Sequence, residues 1–165
     1  ELDVPKENRD PIATVIELTV DGKAFEIEPV KIVTKSNSVA SGKQAKASHV
    51  FGNSKQYAPA KAFDDDPETR WATPSGTKAA WLEVDLGKEM TIDQAMINEG
   101  NWDRVRGFEL QYKVDSQWKT AYAGRKIEST RRFDFDPVTA RYFRLNILRA
   151  VEGPTIWEMK LFEAK

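Results

Sequence analysis

The chain has 165 residues, with 25 basic and 26 acidic side chains and a net charge of −1. That length supports one domain with its own core, or one domain plus part of another, and the charge balance gives no support for a nucleic-acid partner. Cysteine is absent, His49 is the only histidine and no apolar run reaches the ~18 residues of a membrane span, so disulfides, zinc–thiolate sites, cysteine nucleophiles, multi-histidine centres and transmembrane helices are excluded.

There is no initiator Met and no signal-like segment. Because it starts at Glu1 within charged sequence, the chain reads as a fragment of a longer protein. Residues 14–20 (TVIELTV) are β-branched and end at the turn dipeptide Asp21-Gly22, and residues 24–33 continue in the same style around Pro29. The Ser-rich stretch 34–42 lacks large apolar residues and marks a boundary. Residues 1–36 are expected to be a remnant or linker strand of a preceding β-domain, and 37–165 the main domain. The alternative is that TVIELTV adds an edge strand to one sandwich. One short helical turn is expected near Pro59 to Phe63.

Trp81 to Leu86 alternates, with Leu82, Val84 and Leu86 on one face. A short Gly-Lys-Glu turn then leads to a strand over Thr91 to Ile97. Phe108 to Val114 alternates again and ends at the turn Asp115-Ser116-Gln117 before Trp118. Phe133 and Phe135, Arg141 to Leu148 and Thr155 to Phe162 complete the set. No segment carries a helical period over 11 residues or more. Strands at roughly ten-residue spacing with turns between them predict an all-β fold, a jelly-roll β-sandwich.

The most informative stretch is Ala60 to Trp71 (AKAFDDDPETRW). It sets three consecutive carboxylates, a threonine hydroxyl and Pro67 between an aromatic residue and a tryptophan. Closely spaced Asp, Thr and carbonyl oxygens suit calcium, which takes six to eight oxygen ligands. A solvated acidic turn with Pro67 fixing φ is the other reading.

Several ordered motifs from Ala40 onward resemble the discoidin domain, also called the coagulation factor 5/8 type C domain. Its bacterial forms are the family 32 carbohydrate-binding modules. The motifs are Ala45 to Ser48, Ala62 to Asp66 with Thr69-Arg70-Trp71, Trp81 to Gly87, Phe108 to Val114 with Trp118, Ala140 to Leu145, and Ile156 to Leu161. The opening piece, Asp10 to Gly22, looks like the end of the β-domain of bacterial α-L-fucosidases; a chitobiase-type parent is an alternative. The resemblance implies a galactose-binding-domain-like jelly roll, exported to the periplasm, cell surface or medium, monomeric, and attached to a parent catalytic domain of a glycoside hydrolase.

It further implies a structural calcium. Asp64 and Asp66 would ligate by oxygen, Thr69 by hydroxyl and carbonyl, Lys61 by its carbonyl, and Glu158 would close the shell. The family's usual glycine is Asp65 here, at a position that favours positive φ. The resemblance also places a sugar site on end loops. Asn98, Glu99, Trp102 and Arg104 supply an amide, a carboxylate, an indole and a guanidinium within one loop, and His49 lies on an early loop at the same end. Asn98 stands where relatives often have histidine. Trp71, Trp81 and Trp118 match core or near-core positions, and Arg141 and Arg144 are expected in structural ion pairs.

The function that follows is a non-catalytic module binding a terminal galactose, N-acetylglucosamine or fucose. The alternatives are a spacer or protein-interaction domain with a degenerate site, a two-carboxylate glycosidase, and a lipid-binding domain. No carboxylate pair sits in a recognisable catalytic pattern.

Overall fold

A computed structural model describes residues 36–164. The strands expected at 14–20 and 24–33 lie outside the described residues. A division of the chain falls after Ile32, and all that follows concerns the second unit, 33–165.

Eight strands are present among the described residues: β1 (Gln44–Ala47), β2 (Trp71–Ala72), β3 (Ala80–Asn98), β4 (Val105–Val114), β5 (Gln117–Gly124), β6 (Thr130–Ala150), β7 (Thr155–Ile156) and β8 (Glu158–Glu163). They build the expected antiparallel sandwich around one long ribbon, β3 with β6. The first half of β3 pairs with β1 and with the end of β6, which continues to β4 and β5. Its second half pairs with the start of β6 and with β8. The two halves therefore have different neighbours and belong to the two layers.

The changeover corrects one expectation. The Gly-Lys-Glu segment is no hairpin turn but an irregularity within β3, between Asp85 and Met90. Gly87 takes φ +85°, a region glycine enters without steric penalty, and its N–H donates to Asp85 Oδ1 at 2.8 Å. Likewise β6 runs unbroken through Pro137, where two strands were expected. The segment 155–162 is interrupted at Trp157 into β7 and β8. The turn at Pro59–Ala62 is a 3₁₀ helix, and Asp115 and Ser116 take φ values of +49° and +64° in the β4–β5 hairpin.

The alternation read in the sequence is the inner face of the sandwich. Leu82, Val84 and Leu86 are buried, as are Phe108 and Leu110, and they meet Phe143, Leu145 and Ile147. Each such side chain removed from water contributes ~1.5–3 kcal/mol. Trp71 is fully buried, and its indole N–H donates to the His49 carbonyl at 2.8 Å. Trp81 and Trp118 are half-buried. Arg141 forms the expected ion pair, its fork meeting Asp85 at 2.6 and 2.7 Å. Arg144 instead stacks 4.3 Å from the Trp118 ring and donates to Gln111 Oε1 at 2.6 Å, an amide rather than a carboxylate. No helix among the described residues is long and apolar enough to cross a membrane.

At one end of the sandwich the loops are stitched together. The short β2–β7 pair sets Trp71 opposite Ile156 and Ala72 opposite Thr155. Thr73 N–H donates to the Pro154 carbonyl at 3.1 Å, Val151 N–H to the Arg104 carbonyl at 2.9 Å, and Trp157 N–H to the Asn98 carbonyl at 2.8 Å. The two candidate regions adjoin this network, through Thr69 before Trp71 and through Arg104.

Candidate functional site

The first region is the acidic loop. The Thr69 hydroxyl lies 2.8 and 2.9 Å from the two Asp64 carboxylate oxygens, and 3.3 Å from both the Lys61 and the Asp66 carbonyl oxygens. Five oxygens thus surround or belong to one small space. Asp66 brings its carbonyl oxygen to this space, and its carboxylate Oδ1 accepts the Glu68 N–H at 3.0 Å. The Lys61 ammonium sits 3.1 Å from Asp64 and supplies compensating positive charge.

Glu158, from β8, is buried, and its Oε1 has no hydrogen-bond partner among the described residues. Burial pushes its carboxyl up to about 8, the Asp65 and Asp64 charges add to the rise, and Lys160 opposes it. No three His, Cys, Asp or Glu side chains cluster for a metal among the described residues. The donor set is instead mixed: both oxygens of one carboxylate, a hydroxyl and two carbonyls. Such a set, with an orphaned buried carboxylate oxygen at its margin, fits a hard dication that accepts neutral oxygens, and calcium is the common ion of that kind.

Asp65, the substitute for glycine, takes φ +58°. Its carboxylate accepts from the Ser36 hydroxyl at 2.6 Å, from Lys160 Nζ at 2.9 Å and from the Ser41 hydroxyl. Burial alone would raise its pKa; the hydrogen bonds from Ser36, Ser41 and Lys160 outweigh that and hold it at about 2.

The second region is a cleft of about 210 Å³. Its walls carry the rings of Phe51, Tyr57 and Trp102, the guanidinium groups of Arg70 and Arg104, and the hydroxyl-bearing Thr73, Ser75 and Thr155. Phe51 and Trp102 are each 45% exposed, an unusual state for large apolar rings. Phe51 meets Tyr57 edge to face at 5.4 Å. Arg104 lies 3.9 Å over the Trp102 ring, and its Nη1 donates to the Gly153 carbonyl at 2.7 Å. Gly153 also lies close to the 73–74 backbone, where a Cβ would meet the Pro74 carbonyl oxygen at 2.5 Å. Arg70 lies 5.0 Å from the Tyr57 ring and 4.9 Å from the Trp157 ring.

The sequence-derived set divides. Trp102 and Arg104 line the cleft together. Glu99 does not: it is fully buried, and its Oε2 accepts the N–H groups of Arg104 and Val105, each at 3.2 Å. Its role is to hold the loop that presents Trp102 and Arg104, and burial raises its pKa. Asn98 Oδ1 is used by the Gly100 N–H at 2.7 Å; the residue lines a neighbouring depression with Pro67, Asn101, Trp102 and Trp157. The His49 ring is exposed, bonds to the Ser48 hydroxyl at 2.9 Å, and is not among the lining groups. Phe51, Arg70 and Thr155 were missed as site residues. Arg70 was visible only as part of the Thr69-Arg70-Trp71 motif.

With that geometry in view, the comparisons decide the family. The model of the F5/8 type C domain matches residues 44–159, well over half of the chain. The chain belongs to the F5/8 type C domain family. It is 26% identical over 135 residues to a putative α-L-fucosidase 1 of rice (Oryza sativa subsp. japonica), covering 79% of this chain and 26% of that protein. Among solved structures it is similar to chitosan-binding module 1 from a chitosanase/glucanase of Paenibacillus sp. IK-5, with 25% identity and a TM-score of 0.69, covering 76% of this chain and 98% of the other. It is also similar to a GH29 fucosidase of Ruminococcus gnavus in complex with fucose, with 29% identity and a TM-score of 0.68, over 78% of this chain and 27% of that one. The chain thus spans about a quarter of the length of the fucosidases it matches, and nearly the whole of the chitosan-binding module.

Proposed function

We propose that this F5/8 type C domain is a non-catalytic carbohydrate-binding module of a larger, exported glycoside hydrolase of bacterial, fucosidase-like type. The cleft around Trp102 would seat one terminal sugar. The observation that carries this reading is the half-exposed indole beside a stacked guanidinium, ringed by hydroxyl groups, at the loop end of the sandwich. An aromatic face accepts the C–H side of a pyranose ring, while guanidinium and hydroxyl groups bond its oxygens. The similarity to a chitosan-binding module and to fucosidases that include this fold supports the same reading. Galactose, N-acetylglucosamine and fucose are the first candidates. A shallow site for one ring gives a Kd of roughly 0.1–10 mM. The benefit to the parent enzyme is a raised local concentration at the glycan.

Calcium belongs to the proposal as a structural ion. Asp64, Thr69, Glu158 and the carbonyls of Lys61 and Asp66 would hold it. Bound there, it would offset repulsion between the carboxylates and tie β8 to the loop that carries Arg70.

The test is an amide-shift titration of the ¹⁵N-labelled chain, with calcium present, by each of the three sugars and then by oligosaccharides that end in them. Saturable shifts concentrated at Phe51, Tyr57, Arg70, Trp102 and Arg104 are expected. Absence of shifts with every glycan would overturn the reading and leave a spacer or protein-interaction domain.

A further inference from the structure

The charged side chains that line the cleft are all of one sign. Two guanidinium groups line it, and no carboxylate does. Among the described residues neither Arg70 nor Arg104 has an acid at ion-pair distance. The acids around Arg104 face other partners. Asp103 pairs with Arg106 at 3.1 Å and Lys126 at 3.4 Å. Glu99 is buried beneath the loop, on the N–H groups of Arg104 and Val105. Glu152 feels the Arg104 charge, but its Oε1 accepts the N–H groups of Gly76 and Gly153, and it lies outside the lining.

Both guanidinium groups are also held in place. Arg70 lies against Tyr57 and Trp157, so two ring systems flank its guanidinium. Arg104 stacks on Trp102 and is anchored at one nitrogen by Gly153. A guanidinium has five N–H donors in a rigid fork, which matches the paired oxygens of a carboxylate or sulfate. A stacked fork has little conformational freedom left to lose on binding. The volume of about 210 Å³ is below the ~300–1,000 Å³ common for ligand sites, which limits the occupant to one ring and its substituents.

We infer that the cleft selects sugar rings bearing an anionic substituent, a carboxylate or a sulfate ester, and disfavours cationic glucosamine polymers. This rests on the carbohydrate reading and narrows it. A protonated amino sugar would bring like charge against two fixed cations, which opposes binding. A neutral sugar would leave the forks without the charged acceptor that their geometry suits.

The experiment is a set of matched titrations of the whole chain with calcium present. Galactose is set beside galacturonic acid and galactose 6-sulfate, glucose beside glucuronic acid, and N-acetylneuraminic acid beside its methyl ester. Chitotriose and inorganic sulfate complete the set. An acidic member is expected to bind about tenfold tighter than its neutral counterpart, because a charge-assisted fork is roughly twice as strong as a neutral bond. That advantage should shrink at 0.5 M salt, and Arg70→Gln should bring the ratio of the two affinities towards one. Preference for uronic and sialic acids points to a carboxylate; preference for the 6-sulfate points to a sulfate ester. Equal binding of neutral and acidic members, or tighter binding of chitotriose, overturns the inference and leaves the carbohydrate reading standing. Inorganic sulfate binding as tightly as the sugar sulfate also overturns it, since the site would then hold an ion alone. No saturable binding of any sugar removes the carbohydrate reading and the inference together.

Discussion

The acidic loop and the cleft meet at three consecutive residues. The Thr69 hydroxyl bonds into the loop, Arg70 lines the cleft, and Trp71 fills the core. The two regions are nevertheless built differently. The loop is tied by many charged contacts across the chain, from Ser36 to Asp65 and from Asp65 to Lys160. The cleft is assembled from side chains on separate loops, each held by one or two contacts, with its rings left half-exposed. The first arrangement suits stability, and the second suits the recognition proposed above. Substitutions in the loop should therefore move the melting point, and substitutions in the cleft should move affinity.

The largest expected effect is on the loop side. Asp65→Ala removes the acceptor for Ser36, Ser41 and Lys160, and it forces alanine into φ +58°. The side chains of Asp65 and Lys160 are 6% and 19% exposed, so in a largely dry place the ammonium would lose its nearer partner and keep only Glu158 at 4.0 Å. A destabilisation of about 3 kcal/mol is expected in urea denaturation, with ligand affinity of the folded fraction unchanged. A neutral outcome would mean that the loop is not the stability device described.

Next is the buried carboxylate. Glu158 has its folded pKa raised to about 8 from 4.5. The folded chain then holds a proton that the unfolded chain has released, so metal-free stability should fall as pH rises from 4.5 through 8. The loss is on the order of 5 kcal/mol at most. Calcium at a hundredfold excess over its Kd should add ~2.7 kcal/mol and flatten that slope. Glu158→Gln should make the metal-free protein more stable at pH 8 and remove the calcium response. Thermal melts with EDTA and with calcium, at three pH values, test both signs.

The cleft comes third. Trp102→Ala deletes a 45%-exposed ring that stacks with Arg104. Stability should change by less than ~1 kcal/mol, because nearly half of the residue already faces water, while glycan affinity should fall about tenfold. A large drop in melting temperature with affinity retained would reverse the comparison.

The contrast also explains what the sequence made legible. The period-two alternation at Leu82, Val84 and Leu86 and at Phe108 and Leu110 is a local signal, and it marks the buried face correctly. Positive φ at Asp65 was expected from its place in the motif and is present. The continuity of β3 through Gly87 was not legible, because Gly-Lys-Glu reads locally as a turn and only the partner strands decide otherwise. Glu99 reads in the sequence as a candidate sugar contact, by its residue type and its loop, yet it does not line the cleft. Its burial depends on two backbone N–H groups folding over it, which no sequence pattern displays. Phe51 and Arg70 join Trp102 only through tertiary packing, and neither sits in a local pattern that marks a binding face.

The smallest expected effect tests the edge of the cleft. His49 is the lone histidine and lies on the early loop, yet its ring is exposed and contacts the Ser48 hydroxyl at 2.9 Å. The contribution of His49 to the fold is its backbone carbonyl, which receives the Trp71 indole N–H at 2.8 Å. Alanine retains that carbonyl. His49→Ala should therefore shift stability by less than ~0.5 kcal/mol and leave glycan affinity within about twofold. The same titration that measures Trp102→Ala measures this variant. Should affinity instead fall as far as with Trp102→Ala, the bound sugar must reach past Phe51 onto the 48–50 loop, and the binding surface would be wider than the space between Tyr57, Arg70 and Trp102.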